Sequence, residues 1–382
     1  MPLLPEARDG IELKAYSRTV PFSFWPTAPT VPRPTLQSLL FAADPWGMMR
    51  HSITEQVANL ASRQEAHSYI DQARDFFTSA QSSPIDGAKP VQLYYSFLNL
   101  AKAFTICRGI HASLPNIMHG VNETVPAGGR EFDDAVIQFW ASPNGRGQLQ
   151  AFDEFMAALG VPRIAAAGLQ IPVSVLLPQI LSGHRLWASA TGSAERFISI
   201  HDIQFCENRR RRQVWLRVLL FADDVKRLGF TQNDVLNNSG LAPNYRKVRC
   251  NLNKSGRPLI CFEQTVPINY GRHGVDHASE LAASVKDRIW MTVGSSAPFR
   301  RNYLYLVPPA DRPQVLPQIA SIYATAFYFG SITRYRPNVL RSALDGPLGP
   351  RISEFISGQP SQFVYLMASE FAKRDVTKPS IV

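Results

Sequence analysis

The sequence predicts an α+β fold: a helical body formed by N- and C-terminal helices, with a β-containing region inserted between them. Three observations predict it. Residues 48–164 and 311–382 carry apolar side chains at spacings of three and four, the period of a helix with one buried face. Residues 165–310 hold runs that alternate like strands, and NKSGRP separates two of them as a hairpin turn would. The chain has 382 residues, 45% of them hydrophobic, enough to bury the cores of two domains, or of one large domain with an insertion, rather than stay disordered.

The elements follow in order. Residues 1–47 are rich in proline, with Phe22, Phe24 and Trp25 among the prolines. Proline fixes φ and removes a donor, so this stretch reads as an extended arm held to the body by its aromatics. A short helix over Thr35–Ala43 interrupts it. From Ser52 the helical period takes over: Ile53, Val57 and Leu60 form one stripe, and Tyr69, Ile70, Ala73, Phe76 and Phe77 a second. Ser82, Ser83, Pro84 and Gly87 end it. The next helix starts at Val91, with Leu93, Phe97, Leu100, Ala101 and Phe104 on one face. A loop from Arg108 to Gly129 follows, then a helix over Gln148–Leu159 with Gly160 as its stop.

In the middle, Phe197–Phe205 and Gln213–Ala222 read as strands, and Arg246–Leu252 and Leu259–Val266 as the two arms of the hairpin. Short helices are expected over Asp223–Leu228 and His277–Trp290. Helix returns over Pro313–Phe329, then over Pro337–Leu344 and Pro360–Lys373, with a frayed tail after it.

Lys and Arg number 40 against 30 acids, a formal net charge of +10. Such an excess suits a polyanionic partner without dictating one. Four cysteines, Cys107, Cys206, Cys250 and Cys261, show no metal-ligand or disulfide spacing, so they read as buried thiols of a reducing cytoplasm. No cofactor and no metal are expected. The N-terminus lacks the apolar core of a signal peptide. The most apolar run, Ile164–Leu181, is broken by Pro172 and Pro178, so no membrane partner is expected. No phosphate loop, zincin or hydrolase-elbow motif occurs.

Candidate chemistry gathers at a few places. The Val91 helix carries Lys102, and Arg108, His111 and His119 leave its end. Imidazole accepts protons near neutral pH, and guanidinium grips phosphate with a planar fork. The segment SITRYRPN offers Arg334, Tyr335, Arg336 and Asn338, two cations and a stacking ring for a phosphate and a base. The run Arg209, Arg210, Arg211 and Arg212 lies between two strands and would attract phosphates at low specificity. Two Arg–His pairs at a spacing of five, Arg196 with His201 and Arg272 with His277, are matches that chance supplies in a chain with this many arginines.

The adjacent tyrosines Tyr94 and Tyr95, the run Asn99, Ala101, Lys102 and Ala103, the pair His119-Gly120 and the SITRYRP turn resemble the YaaC-like family of bacterial proteins. That family brings no settled activity. The first motif is also similar, more loosely, to HEPN helical domains, many of which are metal-independent ribonucleases using an Arg and a His a few residues apart. Here Arg108 and His111 are separated by only two residues and His119 lies farther on, a departure from that pattern. The resemblance implies a HEPN-like nucleic-acid-associated protein: a metal-independent endoribonuclease, or a toxin-like effector of bacterial antiviral defence, working on RNA in the cytoplasm. A non-catalytic RNA- or DNA-binding module is one alternative. A scaffold whose degenerate helical domain binds a protein partner is the other, and a second copy of the chain stays open as a partner. If the first reading holds, Arg108 and Arg334, far apart in sequence, should share one cleft.

Overall fold

A computed structural model of the chain describes residues 4–26, 39–83, 87–129, 132–249, 253–254, 256–308 and 315–380. It is a mixed α+β protein of two compact units. One comprises Ala42–Ser193 and Gln314–Ala372, and the other Met1–Phe41, Ala194–Pro313 and Lys373–Val382.

The first unit is built on helices α1 (Pro45–Gln56), α2 (Leu60–Ser82), α3 (Lys89–Cys107), α4 (Ala151–Ala158), α5 (Gln318–Tyr335), α6 (Pro337–Asp345) and α7 (Gly349–Ala372). Asp44 and Asn59 cap α1 and α2 by accepting from the amides of Trp46 and Ser62, which satisfies donors the first turn leaves open. Helix α3 is the centre, packing against α2, α4, α5 and α7. Its sequence is apolar around most of its circumference, so Leu93, Tyr94, Phe97, Leu98, Leu100, Ala101 and Phe104 are all buried. A helix that is apolar on every side belongs inside. Phe97 stacks on Phe363 at 3.9 Å between ring centroids, and Phe104 meets Phe371 edge-on at 5.1 Å. Chain segments more than 250 residues apart thereby share one core.

Helices α3 and α5 cross closely because α5 has a glycine at the contact. A Cβ built on Gly330 would lie 3.0 Å from Tyr94 Cβ and 3.3 Å from the Pro90 carbonyl. Beside the helices lies a small antiparallel sheet of β1 (Val121–Thr124), β2 (Val136–Phe139) and β3 (Leu169–Pro172), with β2 in the middle.

The second unit is organised by an antiparallel sheet. Its central strands are β4 (Asp202–Asn208), β5 (Gln213–Phe221), β6 (Tyr245–Val248) and β7 (Arg257–Gln264), in the order β4-β5-β7-β6, with Ile11–Glu12 on the outer edge of β4. Strand β5 is buried on both faces, through Val214, Trp215, Leu216, Val218, Leu219 and Leu220, as its unbroken apolar run requires. Glu263 on β7 is fully buried and ion-paired to Arg8, Arg217 and Arg246. That multiple pairing is what permits a carboxylate there.

Several sequence expectations are corrected. Leu39–Phe41 is a strand, not part of a helix over Thr35–Ala43, and it pairs in parallel with Asp375–Thr377; residues 35–38 lie outside the described residues. The tail expected to fray after Lys373 instead opens as a strand: Val376 is buried, and Arg300 reaches Asp375 at 3.6 Å; residues 381–382 lie outside the described residues. Helix α7 begins at Gly349 and carries Pro360 inside it, where the sequence placed a start because proline suits a first turn. The helix expected over His277–Trp290 covers only Ala278–Ala283, and Ile289–Met291 pairs as a strand with Asn302–Tyr305. Phe197–Phe205 is two strands, broken at Ile200 and His201. Residues 165–193 cluster with the helices, since Leu169–Pro172 completes the small sheet, and residues 1–41 cluster with the strands, where the sequence drew its boundaries otherwise. Cys107, Cys206 and Cys261 are buried, and Cys250 lies outside the described residues.

The packing around α3 makes a stability prediction. Phe97→Ala removes the stack on Phe363 and should cost about 3–5 kcal/mol. Gly330→Val forces a branched side chain against Tyr94 and a backbone carbonyl and should cost about 1–3 kcal/mol. Urea denaturation followed by circular dichroism measures both; unchanged midpoints would refute the tight α3 contacts.

Candidate functional site

The side chains of interest in the helical unit gather where α3 and α5 cross. Tyr94 and Tyr95 stand on α3, one residue apart, so they leave the helix in different directions. Tyr94 is buried beneath the rings of Tyr323 and Phe327. Tyr95 is half-buried and stacks on Phe76. One turn beyond Gly330 on α5, Arg334 donates from Nε to the Gly330 carbonyl at 3.2 Å and from Nη1 to the Tyr95 hydroxyl at 3.2 Å. Its guanidinium lies over the rings of Tyr95 and Tyr335. The absence of a Cβ at residue 330 thus sets the approach that lets Arg334 reach Tyr95.

His119 arrives from the loop before β1. The Met118 amide donates to the Leu149 carbonyl at 2.9 Å and the Ala151 amide to the Met118 carbonyl at 2.8 Å, which pin the loop to the start of α4. Gly120 follows at φ +78, with Gln150 Cβ 3.0 Å and the Phe152 amide 3.1 Å from where a Cβ would sit. Only glycine takes that backbone angle against so close a neighbour without strain. The imidazole Nδ1 shares a hydrogen bond with the Tyr94 hydroxyl, and the two rings stack.

The electrostatics of this cluster run in one direction. Burial, then the positive charges of Lys102 and Arg334, hold the His119 imidazole below its ordinary value of 6.5. Burial, with Tyr95 beside it, pushes the Tyr94 phenol well up, and Arg334 offsets part of that rise. Burial lowers the Lys102 ammonium, which lies over the Tyr69 ring and is partly compensated by Glu65. At neutral pH the site therefore holds a neutral imidazole and a protonated phenol beside a permanent cation.

His119 and Arg334 border a cleft of about 1220 Å³. His119, Arg334, Tyr335, Trp140 and Arg146 line it, with the turn Pro143–Gly145 on the same rim. Trp140 and Tyr335 are 46% and 70% exposed, so their ring faces are open to stacking. Trp140 is steadied by a bond from Nε1 to Asn122 Oδ1 at 3.2 Å. Arg336 pairs at 3.0 Å with Glu123 of β1, itself a lining residue. Burial raises the Glu123 carboxyl, and Arg336 draws it back only in part.

The sequence candidates divide accordingly. His119, Arg334 and Tyr335 meet in the cleft. Lys102 is not among its lining residues and acts on His119 through its charge. Arg336 is an ion-pair strut, and Asn338 is exposed on α6, away from the lining. Arg108 caps the end of α3 with its guanidinium over Phe104 and does not line the cleft, so it does not share one with Arg334. His111 sits in a separate polar cluster, with Nε2 2.9 Å from the buried carboxylate of Glu154. Arg163 binds Glu154 at 2.8 Å and Asp153 at 3.0 Å in the same cluster. Burial works against the Glu154 charge, but bonds from Arg163, Ser142 and His111 outweigh it and hold the carboxyl below its usual range. Arg209, Arg210, Arg211 and Arg212 are exposed on the turn between β4 and β5 in the other unit. Among the described residues no cluster of His, Cys, Asp and Glu could hold a metal ion, and no helix is long and apolar enough to cross a membrane.

Sequence reasoning passed over three contributors. Tyr94 and Tyr95 stand in the sequence only as part of the family-like motif, with no role of their own, yet one holds His119 and the other Arg334. Trp140 left a weak signal, a lone indole at the end of a strand entering a Pro-Asn-Gly turn.

No curated protein and no solved structure matches the chain. The family model of the YaaC-like Protein does, over residues 23–371. That span takes in the tyrosine pair, the His119 loop and the Arg334 turn, and the chain belongs to the YaaC-like family.

Proposed function

We propose that the helical unit is a HEPN-like RNA-handling module whose cleft cleaves single-stranded RNA without a metal. The observation that carries this reading is the pairing of His119 with Tyr94 in a cleft that also holds Arg334 and two exposed aromatic rings. Nδ1–H of His119 donates to the Tyr94 oxygen, which fixes the ring and leaves the Nε2 lone pair as the base. Nε2 takes the proton of a ribose 2′-hydroxyl, and the 2′ oxygen attacks the adjacent phosphorus. The bond from phosphorus to the 5′ oxygen breaks, and that oxygen takes a proton from water. The products are a 2′,3′-cyclic phosphate and a 5′-hydroxyl end. Arg334 faces the charge that develops on the phosphate oxygens, where a fixed guanidinium is worth most. Trp140 and Tyr335 stack the flanking bases, which requires unpaired RNA. Burial, with the charges of Lys102 and Arg334, favours an unprotonated His119, the state a base needs. An activity of this kind would serve as a toxin-like effector in bacterial defence, acting on cytoplasmic RNA.

A non-catalytic RNA-binding module is the second reading. It is favoured by the way Arg334 is already bonded to Tyr95 and Gly330, which leaves less of its fork for a phosphate.

Incubation of the full chain with total RNA, with and without EDTA, tests the proposal. Cleavage should be unaffected by EDTA and should fall about 100-fold or more in His119→Ala, the usual worth of a general base. Arg334→Ala should fall comparably, while Arg108→Ala should leave cleavage unchanged. Loss of cleavage with EDTA, or full activity in His119→Ala, would refute the mechanism. Salt-sensitive binding without cleavage would favour the second reading.

The rate should also follow the imidazole. Only the neutral form accepts a proton, so kcat/KM falls as acid protonates His119. Because its folded value is depressed, the acid limb should have its midpoint below 6.5, with a plateau above it. A midpoint above that value would contradict the base assignment.

A further inference from the structure

The second unit contains a cationic groove that the cleft chemistry does not use. Its volume is about 820 Å³, the size range of small-ligand sites. Three separate chain segments supply its walls. Lys14 comes from the short hairpin of Lys14–Ala15 and Arg18–Thr19. Arg209 and Arg212 come from the turn between β4 and β5, and Arg272 and His273 from the loop after Ile268–Asn269.

The walls are joined rather than merely adjacent. Tyr270 donates its amide to the Arg212 carbonyl at 2.9 Å, tying the loop to the turn. Gly274 lets the same loop press onto the sheet, since a Cβ there would lie 2.7 Å from Val214 Cγ1 and 3.1 Å from Glu207 Oε1. Glu207 is the one carboxylate among the lining residues. It is already matched within the protein: Tyr270 donates its hydroxyl to Oε1 at 2.8 Å, and Arg209 donates Nε to Oε2 at 3.0 Å. Lys14, Arg212 and Arg272 have no carboxylate of their own among the described residues. The groove thus presents three uncompensated cations around a neutralised floor.

We propose that this groove is a seat for the phosphate groups of a nucleotide-sized ligand. Cations converging from three segments suit several negative oxygens close together, which is what a phosphate chain presents and a lone carboxylate does not. The aromatic faces of Tyr16 and Tyr270 on the same lining suit a planar base. The volume exceeds what inorganic phosphate fills. The phosphates belong either to a free nucleotide or to the backbone of a nucleic-acid strand. This seat is independent of the cleft in the helical unit.

Calorimetric titration of the full chain with ADP and with a short oligothymidylate tests the proposal. The oligothymidylate lacks the 2′-hydroxyl that the proposed cleavage needs, so it reports binding alone. At least one probe should bind saturably. Its affinity should fall about tenfold or more in a Lys14→Ala, Arg272→Ala double variant, as loss of charge-assisted bonds requires. An Arg210→Ala, Arg211→Ala double variant removes the same charge from residues outside the groove lining and should bind like the parent. Melting curves by circular dichroism confirm that each variant is folded. A fall for ADP assigns a free nucleotide, and a fall confined to oligothymidylate assigns a backbone phosphate. Absence of saturable binding by both probes, or equal weakening in the two double variants, would overturn the proposal.

Discussion

The close crossing of α3 and α5 at Gly330 sets the geometry on which the helical unit's cleft depends. With no Cβ in the way, α5 lies against the Tyr94 side of α3. Arg334, four residues later, then stands beside Tyr95 on the same helical face. Tyr94, buried beneath α5, has its hydroxyl turned to the His119 loop. One missing side chain on one helix therefore aligns a guanidinium, two phenols and an imidazole drawn from residues more than 200 apart in sequence. The charges follow from the same placement. A half-buried imidazole near Lys102 and Arg334 resists protonation, and a buried phenol resists ionisation.

Much of the helical unit was legible in the sequence because its helices are long and strongly periodic. The Val91 run and the Pro313–Phe329 run stand in the structure as α3 and α5, and the hairpin flanking NKSGRP as β6 and β7. Pairing of short segments was not legible. Leu39–Phe41 and Asp375–Thr377 become strands only because each finds the other, and three residues carry no period to detect. Helix α7 was read too short because a proline that looks like a start can sit within a helix whose neighbours hold it.

The site was half legible, for a related reason. Residue type marked His119 and Arg334 as chemical, and spacing marked Arg108 and His111 equally. Only packing separates them. Arg108 ends a buried helix and lies over its own Phe104, and His111 is claimed by Glu154 together with Arg163. Tyr94 and Tyr95 showed in the sequence only as a motif, since a phenol keeps a polar handle whose partner depends on packing. The basic turn Arg209–Arg212 shows the same limit. The sequence gives four equivalent cations, whereas the fold turns Arg209 onto Glu207, puts Arg212 on a groove wall, and leaves Arg210 and Arg211 outside the groove.

The influence of Arg334 on the His119 imidazole can be read directly from the titration of that ring by heteronuclear NMR, assigned by comparison with His119→Ala. The midpoint should lie below 6.5 in the parent and rise toward the ordinary histidine value in Arg334→Ala, where one repelling charge is gone. A parent midpoint at or above that ordinary value, or one indifferent to Arg334, would contradict that influence.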